Sequence, residues 1–189
     1  MYFLFILLAI MSAFLSRIYY FVSVILYGDV PEVFNLGFIG YAAMFLYMFF
    51  ANFGQIDMLV DDRKTLKRRY RIIPIIIPVA ELAFAVYSLF FGTVDITIRI
   101  SFVVIAVVAG FAGYLNIKHL IVPDVDFGIV KSIRGYNLIA ILIGLLSLAE
   151  IGISLFEHNE AIMYIQIVLG ALYAAAIPVL NSEVKKWTQ

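Results

Sequence analysis

The segment IIPIIIPVAELAFAVYSLFF, residues 72–91, has one charged residue, Glu81, and it follows the strongly basic segment DDRKTLKRRYR, residues 61–71. A helix of about 20 apolar residues is long enough to cross about 30 Å of hydrocarbon. The rest of the chain is similar, because 65% of its 189 residues are hydrophobic and 14% are charged, whereas a soluble domain has about 25% charged residues. The sequence therefore predicts an all-α membrane protein with a single polytopic domain.

Six apolar segments are long enough to be transmembrane helices. They are residues 2–27, 34–60, 72–91, 96–115, 138–156 and 161–180. Short connections join the first to the second, the third to the fourth and the fifth to the sixth, which makes each pair antiparallel neighbours. We therefore expect three consecutive helical hairpins. The first segment is expected to remain as a membrane helix, since its apolar run is longer than the roughly 7–15 residues of a signal peptide.

The distribution of cations predicts the orientation of these spans. Lys and Arg accumulate in loops that stay in the cytoplasm. The loops and tail on one side of the predicted spans contain eleven Lys and Arg residues, Lys118 among them, and the three hairpin tips on the other side contain none. Both termini are therefore expected to be cytoplasmic. The asymmetry is compatible with a multi-pass protein of a bacterial cytoplasmic membrane, the cell inner membrane.

Two segments of the chain resemble each other at a fixed offset. Residues 70–90 match residues 136–156 at nine of 21 positions. This similarity predicts a two-helix repeat and three related hairpins around a pseudo-threefold axis. The alternative is that helices rich in Ile and Leu match one another by chance.

Three charged residues lie deep within predicted spans, where burying a charge costs at least about 2.5 kcal/mol. Arg17 and Glu150 are placed at similar depth, so we expect an intramembrane ion pair that holds two helices together; a substrate or proton role is the alternative. Glu81 lies nearer to the midplane. If Arg17 is used by Glu150, Glu81 must be protonated, hydrated or bound to a cation. Pro78 is expected to bend the helix just before this carboxyl group.

Other polar residues gather near the predicted cytoplasmic ends of the even-numbered spans. The candidates for a ligand or ion path, in addition to Glu81, are Asn52, Gln55, Asn116, His119 and Asn181. They are interpreted either as helix caps and bridges, at about 0.6 kcal/mol each, or as a shared vestibule open to the cytoplasm. Small residues on the same spans, such as Ala106 and Gly110, favour close helix packing, either within the bundle or in a homodimer.

The basic segment is expected to contact anionic lipid headgroups, at about 1 kcal/mol per cation. Its cations are Arg63, Lys64, Lys67, Arg68, Arg69 and Arg71. Docking of a cytoplasmic protein is the alternative, and no nucleic-acid binding is expected.

The sequence contains no motif that indicates catalysis. The chain has no Cys and two His residues, His119 and His158, so we expect no metal site and no cofactor. These two residues fall at opposite predicted surfaces, which disfavours intramembrane serine proteolysis. We therefore expect that the protein is not an enzyme.

Two functional classes remain. The first is a signal-input or scaffolding module that acts through its cytoplasmic loops and tail. The second is a small-solute or ion transporter, channel or transport subunit that uses Glu81 and the polar vestibule. We favour the first, because a transport site is better indicated by a pair of discontinuous helices, and only one broken helix is predicted here.

Overall fold

A computed structural model of the chain describes residues 2–28, 35–53, 57–58, 61, 67–123 and 129–156, together with twelve scattered residues between 161 and 182. The main helices are α1 (Tyr2–Tyr27), α2 (Leu36–Asn52), α3 (Arg69–Ile72), α4 (Ile76–Phe91), α5 (Ile96–Ile121) and α6 (Ile129–Ile153). A 3₁₀ turn at Ile73–Ile75 joins α3 to α4. The described residues contain no strand, and the predicted all-α class is confirmed.

Four helical segments are long and apolar enough to cross a membrane. They are Leu4–Tyr27, Arg69–Phe91, Ile96–Ile121 and Arg134–Ile153, and the apolar helix Leu36–Asn52 is shorter. Large apolar side chains cover their outer faces, as at Phe14 and Phe21, which are 63% and 67% exposed. Extended apolar surface of this kind is unfavourable in water. The structure therefore supports a membrane protein.

The described helices form two antiparallel hairpins and one further helix. The second helix of the second hairpin lies at the centre of the bundle. Helix α1 packs against α2, and α4 packs against α5. Helix α5 lies at the centre, because it also contacts α2 and α6. The start of α5 is fixed by Asp95, whose carboxylate accepts a hydrogen bond from the backbone N–H of Thr97 at 2.7 Å, as expected at a helix N-terminus.

The third predicted hairpin requires residues 161–180, and nine of these 20 residues lie outside the described ones. The count of six spans and the threefold repeat therefore stay predictions.

Close contact between these helices depends on small residues. Ala106, Ala109 and Gly110 of the central helix are buried, so its backbone approaches its neighbours closely. At Gly152 a Cβ would overlap the ring of Phe84, so a larger residue there would force this ring to shift. These positions set the spacing of the bundle.

Two prolines shape the helix that carries Glu81. Pro78 has no N–H to donate to the carbonyl of Pro74, and its ring would clash with that carbonyl in a regular α-helix. The chain adopts the 3₁₀ turn Ile73–Ile75 at this position before α4 begins. The irregular backbone therefore lies on the basic side of Glu81, where the sequence predicts a bend.

Several helix ends differ from the predicted spans. Helix α2 ends at Asn52, whereas the second span was expected to reach residue 60. Helix α5 continues to Ile121, beyond the expected end at residue 115, because the polar side chains of its last turns have partners in the fold. Helix α6 begins at Ile129 and ends at Ile153, and not at residues 138 and 156, because a helix can begin among polar residues that an apolar segment excludes.

Candidate functional site

A network of polar side chains lies at the end of the bundle that carries the basic segment. We call it the basic-end network, and its members are Asn52, Asp57, Asp61, Arg71, Asn116, Lys118 and His119. The four members on α2 and α5 are at most 3% exposed. Because a buried polar group without a partner is costly, the hydrogen bonds within this network determine how the end of the bundle is assembled.

The innermost part of the network connects two amides to a histidine. Asn52 Nδ2 donates to Asn116 Oδ1 at 2.8 Å, and His119 Nδ1 lies 2.9 Å from Asn52 Oδ1. His119 Nε2 lies 3.1 Å from Asp57 Oδ1. With this amide orientation both ring nitrogens face oxygen, so a doubly protonated ring satisfies both contacts. If the two amides reverse their orientations, Asn52 donates to Nδ1 and a neutral ring is satisfied.

The outer part of the network consists of ion pairs around a buried lysine. Lys118 Nζ lies 2.8 Å from Asp57 Oδ1 and 2.9 Å from Asp61 Oδ2, and its side chain is 4% exposed. Asp61 also accepts hydrogen bonds from Arg71 Nη2 at 2.6 Å and Nε at 3.0 Å. A charged group as buried as Lys118 is tolerated only with partners of opposite charge. The network therefore joins the chain after α2 and the start of α3 to the central helix.

The ionisation of Asp57 depends on these contacts. Burial by itself raises the pKa of the Asp57 carboxyl group, but the hydrogen bonds with His119 and Lys118 outweigh it and hold the pKa below its ordinary value. Asp57 is therefore ionised at neutral pH and stabilises the Lys118 ammonium group and the His119 ring, which both face it.

The cations of the basic segment divide into two groups. Lys67, Arg68 and Arg69 are exposed, and the guanidinium of Arg69 lies over the ring of Tyr70 at 4.7 Å. Arg71 instead pairs with Asp61, so its charge is partly used within the protein. Arg63 and Lys64, which were assigned to the same role, lie outside the described residues.

Glu81 lines a small cavity where four helices meet. The cavity also contacts Phe45 of α2, Asn116 and Gly113 of α5, and Gly144 of α6. Its volume is about 10 Å³, which is roughly what one water molecule requires. Glu81 Oε2 is buried and has no hydrogen-bond partner among the described residues. The site therefore contains a carboxyl group with unsatisfied hydrogen-bonding capacity.

Arg17 and Glu150 lie in contact near the other end of the bundle. Arg17 Nη1 donates to Glu150 Oε1 at 2.7 Å, and Nη2 donates to Oε2. This bidentate pair joins α1 to α6, with side chains 31% and 20% exposed. Its geometry is that of the ion pair hypothesised from the sequence, and it leaves Glu81 without Arg17 as a counterion.

The structure brings together three of the six residues suggested for a polar path, namely Asn52, Asn116 and His119. Glu81 lines the same cavity as Asn116, whereas Gln55 and Asn181 lie outside the described residues. Sequence reasoning counted Lys118 among the loop cations and missed that it is buried. One signal was present, since Asp57 and Asp61 are four residues apart, a spacing that places two carboxylates on one helical face.

The described residues contain no group of three or more His, Asp or Glu side chains arranged to hold a metal ion. Comparison of the chain with protein-family models, with curated proteins and with solved structures finds no match.

Proposed function

We propose that this chain is a non-enzymatic membrane module that acts as a signal input or scaffold, presenting its basic segment to a cytoplasmic protein. The observation that supports this proposal most directly is the basic-end network. Through Asp61 and Arg71 it attaches both sides of the segment 62–70 to the buried Lys118 of the central helix. A displacement of α5 within the bilayer would therefore move the basic segment.

The proposal includes the topology expected from the sequence. Six spans, arranged as three hairpins with both termini in the cytoplasm of a bacterial cell, would place the basic segment and the tail on the same side as the partner. The exposed cations Lys67, Arg68 and Arg69 would then contact an acidic surface of that partner, or anionic headgroups when the partner is absent.

Site-specific photo-crosslinking in intact cells tests the proposal. A crosslinker at Arg68 should capture a protein, and one at the outward-facing Phe14 should capture lipid only. Adding the substitution Arg71→Gln should reduce the Arg68 crosslink, because it releases the segment from Asp61. Capture of lipid alone at Arg68 would contradict the proposal.

A second candidate function is transport, and the observation that favours it is the cavity at Glu81. A carboxyl group at this depth is a typical part of an ion or proton pathway. If the protein is a transporter or channel, vesicles reconstituted with it should show a flux of protons or small cations under an imposed gradient, and Glu81→Gln should abolish it. The absence of flux in vesicles where the helices are folded would leave the first proposal in place.

A further inference from the structure

We propose that Glu81 is a proton-binding site whose access is from the basic end of the bundle, past Asn116 and His119. The inference goes beyond the role of the basic segment and does not depend on it. It rests on the cavity, on the buried Oε2 atom of Glu81 and on the hydrogen-bonded residues that begin beside it.

The surroundings of Glu81 are suited to a proton and not to a metal ion. Of the described residues that line the cavity, Glu81 is the one titratable group; Asn116 of α5 is polar, and Phe45, Ala140 and Gly144 on the other helices are apolar. A hard metal cation needs about six or more oxygen ligands, and a cavity of about 10 Å³ does not hold them. A proton needs one carboxylate oxygen.

The carboxyl group lies against the small-residue face of α5. A Cβ at Gly110 would be 3.7 Å from Glu81 Oε2, and one at Gly113 would be 3.7 Å from Oε1. The carboxyl group therefore lies directly beside the central helix, at a distance where a Cβ would make an ordinary contact. Asn116 follows Gly113 by three residues, about 4.5 Å further along the axis toward the basic end.

From Asn116 the hydrogen bonds continue toward the basic end. Asn116 contacts Asn52, Asn52 contacts His119, and His119 contacts Asp57, which is 25% exposed. Imidazole can accept a proton at one ring nitrogen and release one from the other. His119 therefore connects a partly exposed carboxylate to two buried amides, and one of these, Asn116, lines the cavity of Glu81.

The chemical step is a simple protonation. Hydronium at the basic end gives up a proton, an O–H bond forms on the Glu81 carboxylate, and no electrons are transferred. On the opposite side of Glu81, Ala85 and Ser88 are buried on the same helix, and the Ser88 hydroxyl donates to the carbonyl of Phe84 at 2.9 Å. We expect access from the basic end, because the hydrogen-bonded side chains that begin at Asn116 beside the cavity lead there.

Infrared difference spectroscopy on the full chain in lipid vesicles tests this inference. Acidification should produce a carboxylic-acid carbonyl band that Glu81→Gln removes and Glu81→Asp shifts in position. The shift keeps the assignment testable if the Gln variant does not fold. A band that persists unchanged in both variants, or that sodium ions suppress at constant pH, would overturn the proposal.

The side from which the proton enters can be measured after vesicles are sorted by whether an external reagent labels Lys67. In the first population the basic end faces outward and Lys67 is labelled; in the second the basic end faces inward. External acid should protonate Glu81 at least about tenfold faster in the first population, and His119→Phe or Asn116→Leu should slow it by a similar factor. Equal rates in the two populations, or no slowing in either variant, would refute the access route. A refuted site at Glu81 leaves the crosslinking prediction at Arg68 unaffected.

Discussion

Replacing Lys118 by methionine removes one buried ammonium group and keeps most of its apolar stem. Lys118 contacts Asp57 and Asp61 at 2.8 and 2.9 Å and is 4% exposed on its side chain. Removing one partner of a buried ion pair costs about 3–5 kcal/mol. His119 still faces Asp57 and Arg71 still faces Asp61, so we expect the lower end, about 3 kcal/mol.

The free energy of unfolding can be measured by titrating detergent-solubilised protein with SDS and following helix content. Lys67→Met is the matched control, because Lys67 is exposed at the same end of the protein, and it should change stability by less than about 0.5 kcal/mol. Arg71→Met should cost about 1 kcal/mol, since the Arg71 side chain is 35% exposed. If Lys118→Met is as stable as Lys67→Met, the buried network does not stabilise the fold.

Three further predictions concern stability. Arg17→Met should destabilise the protein by about 3 kcal/mol, and adding Glu150→Met should restore part of that loss because no unpaired charge remains; an additive loss in the same SDS titration would contradict this. Gly152→Ala should cost about 1–3 kcal/mol by overpacking, whereas Gly113→Ala should be nearly neutral, because a Cβ there meets only ordinary contacts at 3.7 Å. Equal thermal unfolding midpoints of the two variants would show that the contact at Gly152 relaxes freely. The pKa of Asp57 is lowered in the fold, so its contribution to the free energy of unfolding is present above the unfolded pKa and is lost as pH falls below about 4. An Asp57→Asn variant should therefore lose less stability than the unaltered protein on acidification. Identical pH profiles of the two proteins would exclude this contribution.

The membrane class and most helix positions were predictable because they depend on local composition. Apolar segments such as residues 2–27 are stable in lipid and not in water, and the sequence shows these segments directly. The prolines at 74 and 78 likewise indicate an irregular backbone, since the missing N–H is a property of the residue itself.

The basic-end network was only partly predictable, because its partners are distant in sequence. Asn52 and Asn116 are 64 residues apart, and no local pattern indicates that they meet. The sequence places Lys118 in a loop, because the apolar segment of the fourth span ends at residue 115. In the structure two carboxylates neutralise it, which allows α5 to continue to Ile121.

If α2 crosses the bilayer, its length sets the thickness of the insulating layer beside it. Its 17 residues cover about 25 Å, less than the roughly 30 Å of hydrocarbon in a typical bilayer. In a bilayer, the ionic groups near Asp57 would then form a polar indentation on one leaflet. A transmembrane voltage would fall over a shorter insulating distance there, so the local field acting on Glu81 would be stronger than in the surrounding lipid.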